Sequence, residues 1–270
     1  MDLFIRNTDL TDQDTFDEDS KGGVLRFGYA LTENIKHSVR YRIQRSTLGN
    51  FNDDVSPLIQ QDSGARFTSA IGHTISYDTR NSIFNPTDGF VVRLDQDVAG
   101  LGGDAKYFRN RFSSEYHYPI TDYFTGTIRG SVGHIVGLLG KNVRIDERFF
   151  IGGQSFRGFA TAGIGPRDVR TRDALGGNTF ATSTAEISFP IGLVTAVDFR
   201  GRFFTDIGTL TNVDVNGPDL VDGAELRASI GVGISYGSPL GPILIDLGFP
   251  ILKQDFDDTE TIRFSFGARF

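Results

Sequence analysis

Thr261-Ile262-Arg263-Phe264-Ser265-Phe266-Gly267-Ala268-Arg269-Phe270 alternates without a break between two kinds of side chain. Ile262, Phe264, Phe266, Ala268 and Phe270 share one face, and Thr261, Arg263, Ser265, Gly267 and Arg269 the other. Successive side chains of a β-strand point to opposite faces, so this stretch reads as a strand with one apolar side. Glu225–Tyr236 repeats the pattern, with Leu226, Ala228, Ile230, Val232, Ile234 and Tyr236 against Glu225, Arg227, Ser229, Gly231, Gly233 and Ser235. Ile35–Gln44 gives it again, with Ile35, His37, Val39, Tyr41 and Ile43 against Lys36, Ser38, Arg40, Arg42 and Gln44. These runs are about ten residues long, close to the roughly 9–11 that a membrane-crossing strand needs and beyond the roughly 5–6 of a soluble one. A soluble sandwich also alternates. Here, however, the polar face is rich in Arg, Glu, Gly and Ser, as suits a hydrated lumen, while the other carries bare Phe, Ile, Leu and Tyr. The expected fold is all-β, an antiparallel transmembrane β-barrel.

Composition agrees. The chain has 270 residues, net charge −7, 33 Gly, 24 Phe and 8 Tyr, but no Cys or Trp. No apolar run approaches the roughly 18 residues of a membrane helix, which excludes a helical membrane protein and leaves a barrel open. Absence of Cys removes disulfides, Cys-based zinc sites and thiol chemistry. The acidic balance argues against a nucleic-acid partner, which would need clustered Lys and Arg. Met1-Asp2-Leu3-Phe4-Ile5 has no basic n-region, apolar h-region or cleavage site, so no signal peptide is read here.

Twelve strands are expected, near 2–8, 22–31, 34–46, 66–78, 88–98, 105–118, 122–136, 178–189, 197–208, 224–237, 241–249 and 260–270. Connections alternate between long acidic or Gly-rich loops (9–21, 47–65, 99–104, 137–177, 209–223, 250–259) and mostly tight turns. That asymmetry belongs to outer-membrane barrels. One domain, 1–270, is expected, with no helical segment and no repeat beyond the hairpin. The lipid face should include Phe264, Phe266, Ile230, Val232, Ile243 and Ile245.

Few residues read as chemistry. Gly233-Ile234-Ser235-Tyr236-Gly237 matches a nucleophile elbow on paper, but the elbow needs a following helix, and here another strand follows. His37, His73, His117 and His134 lie singly in four strands, and nothing selects a pair as a catalytic dyad. Asp12–Asp19 is acidic enough for a cation, yet reads more simply as a solvated loop tip. No pattern points to a cofactor or a metal. The loop 137–177 is different. It is about forty residues long, apolar and Gly-rich, and loops of that length are functional or disordered. Within it lies Phe149-Phe150-Ile151-Gly152-Gly153-Gln154-Ser155-Phe156-Arg157-Gly158-Phe159. Arg157 between aromatics suggests an inward fold, its guanidinium seeking lumenal carboxylates. Strand parity puts Glu186 and Asp206 on the polar side with Thr184, Ser188, Arg200 and Arg202, where they could clamp it. The simpler alternative is a rim arginine in water.

At this point the chain resembles the BamA-type outer-membrane assembly proteins, the bacterial surface antigen family, over nearly its whole length. The resemblance is carried by Gly152-Gly153-Gln154-Ser155-Phe156-Arg157-Gly158-Phe159, by Tyr77-Asp78-Thr79-Arg80-Asn81 with Asn85-Pro86-Thr87-Asp88-Gly89, and by Phe204-Thr205-Asp206-Ile207-Gly208. Ser238-Pro239-Leu240-Gly241-Pro242 and Ile262–Phe270, with its terminal aromatic, complete it. It implies a sixteen-stranded barrel of the bacterial outer membrane that folds and inserts other barrels without catalysis. It also implies that the arginine of the loop motif, here Arg157, bonds acidic residues on neighbouring strands, here Glu186 and Asp206. Implied partners are outer-membrane lipid and lipopolysaccharide, unfolded outer-membrane protein clients and assembly-machinery lipoproteins. Against the family pattern, periplasmic domains and four leading strands are expected to be absent, because Met1–Arg6 resembles the family's fifth strand. Pairing of the first and last strands into a smaller closed barrel is expected over an open sheet. Two alternatives remain beside the assembly factor: a pore, including the two-partner secretion relatives, and a barrel enzyme such as an outer-membrane protease.

Overall fold

Alternation of apolar and polar residues lets each strand serve two environments at once, and antiparallel pairing satisfies every interior backbone group between neighbours. A computed structural model describes residues 2–9, 17–83, 85–192, 199–238 and 241–266. Twelve strands form a single sheet in sequence order. They are β1 (Asp2–Asp9), β2 (Asp17–Ala30), β3 (Ile35–Gly49), β4 (Gly64–Asp78), β5 (Gly89–Gly103) and β6 (Tyr107–Pro119). There follow β7 (Thr125–Gly137), β8 (Thr179–Pro190), β9 (Phe199–Thr211), β10 (Arg227–Ser238), β11 (Gly241–Leu252) and β12 (Ile262–Phe266). Every pairing is antiparallel, with irregularities at Thr68/Ala70 and Ala228/Ser229.

The outward face carries the apolar set. Phe264 is 72% exposed and Phe266 65%, with Ile230, Val232 and Ile245 also exposed and Ile243 half-buried. Unfavourable in water, this surface is what hydrocarbon covers. The core lies on the concave side, where loops from the long-connection end fold in. Leu48, Val55, Leu58, Ile59, Ile145, Leu175 and Val215 form one buried cluster, and Ile151, Phe156, Phe159, Ile164, Phe180 and Leu210 another.

The structure corrects the sequence reading in three places. Asp17–Asp19, expected in a loop tip, belong to β2, and β3 and β5 also run further toward the long loops. Their main chains stay paired there after the side-chain alternation has faded, because pairing follows backbone groups rather than hydropathy. A helix was not expected, yet α1 (Pro57–Gln60) is one: the Ser56 hydroxyl caps the Leu58 N–H at 3.1 Å and Pro57 occupies the first turn. Finally, the expected closure is not seen. Among the described residues β1 pairs only with β2, and β12 only with β11. The reason lies in the filled lumen: the inward loop is bonded to strands from β3 to β12, so the wall cannot tighten around it.

Candidate functional site

The segment between β7 and β8 turns back into the lumen and meets two other connections there. Gly158–Phe159 pairs with Thr259–Glu260, and Arg167–Asp168 with Leu220–Val221. Phe156 and Phe159 are fully buried, their rings edge to face at 5.3 Å. Burial of each ring contributes up to about 1.5–3 kcal/mol, enough to hold the loop inside. Gly152 and Gly153 lead into a short 3-10 turn, Gly153–Ser155, with the Arg263 guanidinium packed against Gly153.

Arg157 sits between those phenylalanines in sequence and is only 2% exposed. Its Nε donates to Asp206 Oδ2 at 2.9 Å and its Nη2 to Asp206 Oδ1 at 2.9 Å, while Nη1 donates to Glu186 Oε2 at 2.7 Å. The Arg157 main-chain N–H adds a bond to Asp206 Oδ2 at 3.1 Å, and its carbonyl accepts from Ser229 Oγ at 2.5 Å. The guanidinium carbon lies 3.4 Å from the centre of the Phe204 ring, a cation–π contact. Thr184 Oγ1 donates to Asp206 Oδ1 at 2.7 Å. Glu186 is shared further: Arg129 Nη1 and Arg202 Nη1 stand 3.9 and 3.8 Å from its Oε2, and Arg202 also holds Asp246 at 2.7 Å. A buried charge is tolerated only when paired, and here each ion faces an opposite charge, with Glu186 set among arginines from the loop, β7 and β9.

Further struts carry loop residues that the sequence did not single out as partners. Glu147 accepts from Arg109 Nη2 at 3.0 Å and Arg42 Nη2 at 3.3 Å, and Arg42 also bonds the Tyr107 hydroxyl. Arg227 forks onto Asp257 with two 3.0 Å bonds, both groups buried. Arg167 bonds Asp258 and Arg263 bonds Glu260 and Thr161. Arg42, Arg109 and Arg227 share the polar parity that marks the lumen, but their partners lie in loops, where no periodicity points to them. Near the loop base, burial opposes ionisation of Asp146, but hydrogen bonding and charge from Arg144 outweigh it and hold the carboxyl below its ordinary range. Asp62 behaves oppositely: burial pushes its carboxyl up, and Arg148, donating at 3.1 Å, only partly offsets this.

The remaining sequence candidates are placed as follows. Phe264 and Phe266 face outward, away from the clamp, and Phe270 lies outside the described residues. Ser235 is inside strand β10 rather than at an elbow. His117 is buried beside Glu115, with Thr127 Oγ1 3.0 Å away. His37, His73 and His134 are not lumenal. Buried ion pairs of this kind hold a shape: they fasten the plugging loop to the wall.

The Omp85 superfamily domain profile matches residues 1–270. The outer membrane protein assembly factor BamA of Neorickettsia risticii is 30% identical over 269 residues, 99% of this chain and 36% of that protein. A SAM50-like protein of Schizosaccharomyces pombe is 28% identical over 226 residues, 80% of this chain and 47% of that one. The chain thus spans between about a third and a half of the length of these relatives. Among solved structures, BamA from Haemophilus ducreyi lacking POTRA domains 1–3 superimposes with a TM-score of 0.83 at 22% identity, over 97% of this chain and 57% of that one. A sheet of twelve antiparallel strands with an apolar outer face, a plugged concave side and this match throughout its length place the chain in the Omp85 superfamily.

Proposed function

We propose that this chain is the membrane-embedded wall of an outer-membrane protein assembly factor of the bacterial outer membrane, acting without a chemical reaction on unfolded barrel clients. The observation that carries the reading is the similarity to an assembly factor, BamA of Neorickettsia risticii, along 99% of the chain. The physical logic is templating. A strand edge bare in hydrocarbon costs several kcal/mol per unsatisfied backbone group, so a client strand that pairs with an edge is stabilised as it enters. The lumenal clamp supports this by keeping the wall rigid while an edge exchanges partners. Outer-membrane lipid, including lipopolysaccharide, would cover the apolar face, and assembly lipoproteins would dock at the rims.

The test is a vesicle assay without ATP. Unfolded outer-membrane barrel protein is added to vesicles containing the chain, and folding is followed by its shift in gel mobility. Faster client folding than in empty vesicles is the expected result. Ion conductance with no acceleration would instead support a secretion pore, and cleavage of the client a barrel protease; either would overturn the proposal.

A further inference from the structure

Three of the four histidines lie where a membrane barrel should present hydrocarbon. His37 sits between Ile35 and Val39 on the outward face of β3, His73 between Ile71 and Ile75 on β4, and His134 between Val132 and Val136 on β7. Gln96 on β5 and Asn110 on β6 occupy the same parity, flanked by Leu94 and Val98 and by Phe108 and Phe112. Sheet register joins all but one step. Tyr29 faces His37, His73 faces Gln96, Gln96 faces Asn110, Asn110 faces His134, and His134 faces Thr179, while between β3 and β4 the row shifts by two residues, His37 facing Ile75 and His73 facing Val39. Tyr29 hydroxyl to His37 Nδ1 is 2.8 Å, His73 Nε2 to Gln96 Oε1 is 3.0 Å, Gln96 Nε2 donates to Asn110 Oδ1 at 2.5 Å, and His134 Nδ1 to Thr179 Oγ1 is 2.8 Å. The His37 and His73 rings meet edge on at 5.4 Å. Seven side chains on seven consecutive strands thus make one polar seam, a single residue wide.

The seam also climbs. His37 is the third residue of β3 counted from its short turn, whereas Thr179 is the residue of β8 farthest from its own. Strands about 4.8 Å apart and tilted about 35–45° would raise such a ladder by roughly 20 Å, against an apolar band about 25 Å tall. It therefore runs obliquely from one membrane interface toward the other. Polar side chains facing lipid are costly and rare, which makes a continuous row of them a functional feature. The row is not fully satisfied, since His73 Nδ1 has no hydrogen-bond partner. Among the described residues of β9–β12, by contrast, no imidazole or amide faces outward: Phe203, Ile207, Ile230, Val232, Ile245, Phe249 and Phe264 do.

We propose that this seam is a path for phospholipid headgroups, so that the barrel moves lipids between leaflets along its outer wall. A headgroup in hydrocarbon lacks hydrogen-bond partners. Along the seam it would meet imidazole, amide and hydroxyl groups at successive depths, while its acyl chains stay against the apolar residues on either side. A protein partner fits less well, because the polar row is one residue wide and its flanks are plain hydrocarbon surface.

The experiment uses the chain in phosphatidylcholine and phosphatidylglycerol vesicles with a trace of fluorescent NBD-phosphatidylcholine. Extraction of the probe by albumin reports its arrival in the outer leaflet, and a leak to small ions cannot mimic it. The wild-type chain should make the whole probe pool extractable, whereas protein-free vesicles release only the outer-leaflet share. A Gln96→Leu, Asn110→Leu, His134→Leu variant should slow this by about tenfold or more, and an Ile230→Leu, Val232→Leu variant should not. Insertion is checked by gel mobility, and Asn110→Leu alone serves if the triple variant does not insert. No transfer above protein-free vesicles, or undiminished transfer by an inserted seam variant, would overturn the proposal.

Discussion

Gly248 of β11 and Gly158 of the inward loop lie back to back: a β-carbon on Gly248 would stand 2.5 Å from the Gly158 nitrogen and 2.9 Å from its α-carbon. Gly158 itself has φ +90°, a conformation that other residues rarely adopt. The main chain of the loop can thus touch the wall, which brings Arg157 within reach of two carboxylates. Gly248→Ala should push the loop away at a cost of about 1–3 kcal/mol, as overpacking does. Limited proteolysis within residues 138–178 checks it, and unchanged protection would show that the contact is not needed.

Arg157→Ala removes the guanidinium that gives Asp206 two of its three Arg157 donors, leaving only the main-chain N–H. Breaking a buried pair costs about 3–5 kcal/mol. Asp206 should account for more of the loss than Glu186, which keeps Arg129 and Arg202 within 4 Å. Arg157→Lys retains the charge without the planar fork and should recover only part of the stability. A double-mutant cycle of Arg157→Ala with Asp206→Ala, read by urea unfolding from vesicles, measures the coupling. A coupling near zero would contradict the clamp.

Arginine introduced at Phe264 or Ile230 should destabilise the inserted protein by about 2–4 kcal/mol near the bilayer midplane, falling off toward the interfaces. Substitutions at both positions without effect on folding into vesicles would be incompatible with a lipid-facing outer surface.

Asp146 and Asp62 should respond oppositely to pH. The lowered carboxyl of Asp146 contributes stability that is present above the ordinary carboxylate range and is lost as pH falls through its depressed value. The raised carboxyl of Asp62 contributes most below its unfolded value and loses that contribution as pH rises through its elevated one. Asp146→Asn should therefore weaken the loop at neutral pH and change little in acid, whereas Asp62→Asn should cost less at neutral pH. Protease protection of the loop measured across that range distinguishes them; equal effects would contradict the opposite shifts.

Much of the architecture is readable from local pattern. Alternation around Phe264, Ile230 and His37 needs only adjacent residues, because each strand side chain points opposite to the one before it. It marks twelve strands, their lumenal and outward faces, and the shared parity of Glu186 and Asp206. Pattern did not reach α1, whose Ser56 cap and Pro57 fall in a segment read as loop, nor the partners Glu147, Asp257 and Asp62, which lie in connections without a period. Nor could it show that His37, His73 and His134 stand in one row. Each histidine's face follows from its own strand. Its neighbour across the sheet depends on register, which accumulates over turn lengths, bulges and the anchoring of a forty-residue loop. Closure was decided at the same level. Whether two edge strands meet depends on the curvature of the whole wall, and that is set by ion pairs between segments far apart in the chain, which form only once the lumen is filled.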